Sequence, residues 1–339
     1  MSDSDSTGNL GPSTSNKRQR MDADEGPQDN TVAKDPEVWL SDGNIVFISQ
    51  NTVFRVHMSV LSLHSEVFRD LFLLPMHLPL EAHKRHSRAV LPSSCLIRPK
   101  IFVNFSSCYY RENDETISVP CNVLCSLIRM GHKYAIHKVL NDALSRLKKY
   151  YTSDLGAWAD EQRRTRYVAV GDADHLLAIE VAYLTNTLSI LPTAFLEMCS
   201  LIERHIVTLS TCEAQCGLTA ERVVQALNGK VALTANVTTR LLAMHSAVPV
   251  PRCQNQGHCT MIAQEVRRTV YARVGSLQLR NMFGHVWHPL YTYFWGSFVA
   301  RLCPSCKNAS VAVDEEMRQK AWTGLPGSFG LSVDGWPVN

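Results

Sequence analysis

Cys303-Pro304-Ser305-Cys306 sets two thiols at the spacing that lets both ligate one tetrahedral metal ion. Cys253 and Cys259 lie upstream, with His258 beside them as a substitute ligand. The two pairs can complete a structural zinc site made of cysteines alone. Each pair flanks a turn residue, Gly257 in one and Pro304 in the other, and each precedes a predicted helix. The Cys253–Cys259 spacing is longer than the roughly two to four residues usual between paired ligands. A second reading therefore stays open, in which all four are reduced, buried thiols that pack as small hydrophobes. A third is thiol–disulfide exchange at the C-P-x-C sequence. That chemistry needs a preceding β-α-β context and a helix opening at the first cysteine to lower its pKa. An aromatic segment with helical character precedes Cys303 instead, so this reading ranks last.

The remaining cysteines and histidines offer less. Cys121 and Cys125, like Cys212 and Cys216, are four apart and share a helix face, where core packing is the expectation. His285 and His288 flank Trp287 without a nearby carboxylate motif. The chain contains no G-x-S-x-G, phosphate-binding loop, G-x-G-x-x-G or H-E-x-x-H motif. No catalytic residue and no small-molecule substrate are expected. Zinc is the one cofactor the residues suggest, and none is required by an evident reaction.

Composition narrows the class. The 339 residues suggest two domains, and 45% hydrophobic against 19% charged residues suffice for a packed core. A formal net charge of +3 is too balanced for a nucleic-acid-coating protein, so direct nucleic-acid binding is not expected. The opening residues lack a basic stretch followed by an apolar run, and no apolar stretch approaches the roughly 20 residues of a membrane span. The 11 cysteines are then expected to be reduced, in an intracellular protein of the nucleus or cytoplasm with no membrane contact. Lys17-Arg18-Gln19-Arg20 reads either as a short import signal or as a solvated cluster balanced by Asp22, Asp24 and Glu25.

These residues need elements to position them. Residues 1–34 are polar and expected to be disordered, with order beginning near Trp39. Ile45–Ile48 and Val53–Val56 read as a hairpin across Ser49–Thr52. Met58, Val60, Leu61 and Leu63 fit a short helix. Ser65 is a good N-cap for a second, whose apolar face carries Phe68, Leu71 and Phe72. Residues 80–108 show no helical period and only short apolar runs. Leu124, Leu127 and Ile128 share a helix face. After Gly131 a second helix carries Ile136, Val139, Leu140, Ala143, Leu144 and Leu147, with Lys138, Arg146, Lys148 and Lys149 outward. Residues 152–171 read as a linker. Helices follow at His175–Thr185, at Thr193–Val207, from Thr219 to a stop at Gly229, at Val231–His245, at Met261–Val274 and at Met317–Trp322.

Asp42-Gly43-Asn44-Ile45-Val46-Phe47, Phe54-Arg55-Val56-His57, Val60-Leu61-Ser62, Ser65-Glu66-Val67-Phe68 and Leu71-Phe72 follow one another in an order and spacing that resemble the opening of a BTB/POZ domain. The segment from Leu127 through Gly131-His132-Lys133-Tyr134 to Leu147 is similar to that family's closing helices. Trp322-Thr323-Gly324-Leu325-Pro326 with Phe329-Gly330-Leu331 resembles the tail of BTB proteins abundant in mushroom-forming fungi. The resemblance implies a small sheet clustered with helices that pairs through helix faces and a swapped strand. It implies that Asp42 lies near a dimer contact and that His57 supports the hairpin-to-helix turn. It also implies a third strand between Pro79 and Tyr109, where this sequence departs from the family pattern.

The expectation is an α+β protein with a BTB/POZ-like domain at 35–151, atypical at 80–108, and an α-helical domain at 172–339. Its expected function is non-catalytic protein–protein association, as a homodimer or a heterodimer with other BTB proteins. Asp42, Phe54, His57, Val60, Leu61, Ser65, Phe68 and Phe72 are the candidate interaction residues, forming the BTB-like core and dimer region. Two alternatives stand beside it: a zinc-stabilised, transcription-associated nucleic-acid binder, and a substrate adaptor for a cullin-type ubiquitin ligase.

Overall fold

The computed structural model describes residues 33–49, 51–73, 87–89, 117–204, 219–273, 289–290 and 296–337. The class is α+β and mostly helical, with a small sheet near the N-terminus. The expected hairpin is present as β2 (Ile45–Ser49) and β3 (Thr52–Val56), antiparallel with Phe47 opposite Phe54. Strand β1 (Ala33–Trp39) lies parallel to β3, so the chain is ordered from Ala33, earlier than its composition suggests. Burial of Val38 on that strand supplies the apolar anchor. Helices α1 (Met58–His64) and α2 (Glu66–Leu73) follow, and a short strand β4 (Ser87–Ala89) returns parallel to β2. The sheet order is β1-β3-β2-β4. The strand at 87–89 corrects the expectation of an unreadable 80–108 segment; three residues are too few to show a period of their own.

Strand β5 (Val119–Pro120) leads into α3 (Cys121–Lys133) and α4 (His137–Tyr150). Gly131 lies inside α3, and the second helix follows it as expected. A Cβ there would stand 3.0 Å from the backbone nitrogen of Leu140, so glycine lets the two helices touch. The Ser65 hydroxyl caps α2 by accepting the Phe68 N–H at 3.0 Å, and donates to the Tyr134 carbonyl at 2.5 Å. One buried hydroxyl thus joins the hairpin-and-helix layer to the α3–α4 turn. Phe68 stacks on Tyr134 at 4.8 Å and on Phe72 at 5.8 Å beside it.

The segment 152–171 is not a linker. It forms α5 (Leu155–Ala159), α6 (Glu161–Thr165) and β6 (Val168–Ala169), which pairs in parallel with β5. Asp154 and Asp160 cap the two short helices. Buried Arg164 lies 3.9 Å over the Trp158 ring and 4.9 Å over Tyr150, and pairs with Glu197 at 3.4 Å. Polar sequence hid this packing because cation–π contact and capping use charged residues as structural parts. The hydrophobic core runs without a break from Val38 to Trp336 across the segment.

From Asp174 onward the described elements are helical: α7 (Asp174–Leu184), α8 (Leu191–Arg204), α9 (Ala220–Ser246), α10 (Gln256–Arg273), α11 (Gly296–Val299), α12 (Pro304–Thr323) and α13 (Leu325–Ser328). The two helices expected on either side of Gly229 are one 27-residue helix. Gly229 is a packing site: a Cβ there would lie 2.1 Å from the Phe329 ring. Thr219 stands at the N-cap of α9, but its side chain makes no cap hydrogen bond. Helix α12 is far longer than Met317–Trp322 and starts beside Cys303.

Helices α9 and α12 share a fully buried ion pair. Arg240 donates through Nε at 3.1 Å and Nη2 at 2.7 Å to one Asp314 oxygen, and the Leu290 N–H donates to the other at 2.8 Å. Removing one member of such a pair leaves the other charge buried without its counter-ion. Asp314→Ala is expected to lower unfolding stability by about 3–5 kcal/mol in urea titrations. A loss below about 1 kcal/mol would show that the pair does not organise this helix contact.

Candidate metal centre

The Sγ atoms of Cys253, Cys259, Cys303 and Cys306 all lie within 4.8 Å of one another. Two loop–helix junctions, far apart in sequence, bring them together. Asn255 caps α10 by accepting the His258 N–H at 3.2 Å, which puts Cys253 before the helix and Cys259 in its first turn. Cys303 is the N-cap of α12, Pro304 follows at the first helical position, and Cys306 sits in the first turn. Each pair therefore straddles a helix start, whereas the sequence reading places both members of each pair before the helix. His258 is exposed and stands outside the cluster.

The four cysteines are free thiols. Cys253 and Cys303 approach to 3.7 Å between sulfurs. A tetrahedral ion with metal–sulfur bonds of about 2.3 Å places its sulfurs roughly 3.8 Å apart. The set can therefore close on a metal ion with small inward movements. Cys259 and Cys306 are buried, while Cys253 and Cys303 are half-buried at the rim. Val248, Ile262, Ala263 and Leu302 surround the sulfurs and form a small core separate from the main one.

Backbone amides point at the sulfurs, as they do at helix starts generally. The Cys303 N–H donates to the Cys259 sulfur at 3.4 Å. Hydrogen bonds from the Cys306 and Gln254 amides pull the Cys303 thiol down to about 6. Burial pushes the Cys306 thiol up to about 12 and raises that of Cys259. The surroundings thus favour the thiolate at Cys303 and the protonated thiol at the two inner members.

The N-terminal candidate residues divide into two groups. Phe54, Leu61, Ser65 and Phe68 are buried in the protein's own core. Asp42 is exposed and meets the His57 Nε2 at 3.2 Å. His57 stands at the N-cap of α1 without capping it through its side chain, so it braces the turn through Asp42. Val60 and Phe72 are half-buried. Sequence reasoning passes over the strong exposure of Leu63 (78%) and the exposure of Val67 (40%) on the α1–α2 face. Spacing puts Leu63 on the helix's apolar side, and nothing in a seven-residue helix distinguishes its inward leucine from its outward one. Cys121 and Cys125 share a face, with sulfurs 3.9 Å apart in the core, as expected. Cys212, Cys216, His285, His288 and Lys17–Arg20 lie outside the described residues.

No family model, no characterised protein and no solved structure matches this chain. Among the described residues no helix is long and apolar enough to cross a membrane.

A metal ion must displace the protons of the inner thiols, Cys259 and Cys306, to bind their sulfurs. Metal affinity is therefore expected to rise from pH 7 to pH 8, by about tenfold for each proton released per ion. Competition against a chromophoric chelator at the two pH values measures this. An affinity that does not change with pH would remove the inner thiols from the ligand set.

Proposed function

We propose that the chain is a non-catalytic protein-association module, BTB/POZ-like in its N-terminal half, with its last helices clasped by a structural zinc ion. The observation that carries the first part is the path of the chain through the small sheet. A hairpin passes into two short helices, a further strand returns parallel to the first hairpin strand, and the α3–α4 pair closes against them through Ser65 and Tyr134. That sequence of elements is what the resemblance implies, including the strand expected between Pro79 and Tyr109.

Association is assigned to the α1–α2 face. Strand β1 pairs with β3 of its own chain, so strand exchange is not needed to complete the sheet. The exposed apolar side chains of Leu63 and Val67 lie on the neighbouring helices, beside half-buried Val60. The partner is a second copy of this chain or another BTB-like chain, joined by the same helix face. In sedimentation velocity the protein is expected to form dimers at micromolar concentration, and Leu63→Glu with Val67→Glu is expected to shift it to monomer without unfolding it. A wild-type protein that stays monomeric across that range overturns the assignment.

Zinc suits the second part because four thiolates in a tetrahedral set select it over harder cations. Cys253, Cys259, Cys303 and Cys306 would hold it, joining α10 to α12 within the small core around them. Elemental analysis of purified protein is expected to find about one zinc per chain, and cobalt substitution to give the strong ligand-field bands of a tetrahedral thiolate site. Cys306→Ser is expected to abolish both signals. Metal-free protein that takes up no cobalt at pH 8 would leave the cluster as packed thiols.

A further inference from the structure

On the far side of α4 from the core, a cleft of about 610 Å3 opens between that helix and the α5–α6 segment. Lys148 and Lys149 from the end of α4 and Arg163 from α6 line it, with the hydroxyls of Ser145 and Thr152 and the ring of Tyr167. No carboxylate is among the described residues that line it. Two nearby acids are turned to their own helix starts: Asp154 accepts the Ala157 N–H at 2.6 Å, and Asp160 accepts the Arg163 N–H at 2.9 Å. Lys149 Nζ lies 5.0 Å from the centre of the Tyr167 ring, which fixes one ammonium on the cleft wall.

We propose that this cleft binds a phosphorylated serine or threonine on an extended segment of a partner protein. A phosphoryl group carries a charge of about −1.5 to −2 and three strong acceptor oxygens. The cations Lys148, Lys149 and Arg163 and the hydroxyl-bearing Ser145 and Thr152, all lining one cleft, suit that charge and those acceptors. The lining is polar and open, unlike the apolar, enclosed pockets that hold drug-sized cofactors. It is also local. A polynucleotide would call for a basic stripe along a face, and the chain's net charge of +3 is small. Arg163 reaches the cleft because α6 is folded against α4, so the ordered segment 152–171 builds one wall. The site is separate from the cysteine cluster and from the α1–α2 face, and its failure would leave the association reading intact.

The test uses the full chain and a fluorescein-labelled degenerate peptide pool centred on phosphoserine or phosphothreonine, read by anisotropy against the same pool without phosphate. The phosphorylated pool is expected to bind, with affinity falling as salt rises. Lys148→Glu with Arg163→Glu is expected to weaken binding roughly tenfold or more, since two charge-assisted contacts are lost. Its thermal midpoint should stay unchanged, both side chains being exposed, and Lys148→Arg should retain binding. Inorganic phosphate, phosphoinositide-containing vesicles and single-stranded DNA serve as separate competitor arms. Equal binding of both peptide pools, no binding of either, or undiminished binding by the Lys148/Arg163 double variant overturns the proposal. So does binding to vesicles or DNA without binding to the phosphorylated pool.

Discussion

The structure depends on the burial of one indole. Trp322 is fully buried, lies 6.0 Å from Trp158 on one side and 5.5 Å from Trp336 on the other, and donates its ring N–H to the Ser153 carbonyl at 2.7 Å. The 152–171 segment and the C-terminal stretch, which the sequence separates widely, are thereby packed as one. Burying an aromatic ring of this size and satisfying its donor at the same time is among the larger single contributions a side chain makes. Phe329 continues the seam by stacking on Phe195 at 5.4 Å and filling the gap over Gly229, while Gln225 donates to its carbonyl at 2.7 Å. The tail from Trp322 to Phe329 is therefore a packing device that closes the helical part onto the preceding segment.

Local features are legible where one residue's chemistry decides the local outcome. The β2–β3 hairpin, the Ser65 cap and the pairing of α3 with α4 follow from alternation, a hydroxyl before an apolar run, and helical spacing. Glycine misleads at Gly229. It reads there as a stop, yet it lies inside a helix, as Gly131 does, where another element approaches too closely for a Cβ. Such closeness is a tertiary fact that a local reading lacks. The segment 152–171 escapes a sequence reading for a related reason. Its order rests on Arg164, Asp154 and Asp160, residues that composition counts as solvated.

The cysteine cluster shows the same division. Ligand types and the Cys303–Cys306 spacing are enough to name all four members. The long interval between Cys253 and Cys259 argues against a site only on the assumption that both lie in one tight turn. The helix begins between them, and its first turn brings the second sulfur back toward the first. The Arg240–Asp314 pair has no comparable signal: each residue looks like an ordinary helix-surface charge, and 74 positions separate them. Its burial is decided by which faces of α9 and α12 meet.

Helix α12 carries three of these fastenings along one rod. Cys306 stands near its start, Asp314 near its middle and Trp322 near its end, at intervals of eight residues, or about 12 Å of axial rise each. Twenty residues of continuous helix are stiff over that distance. One rod thus sets the position of a ligand cysteine, a buried carboxylate and the indole against which Trp158 of the α5–α6 segment packs.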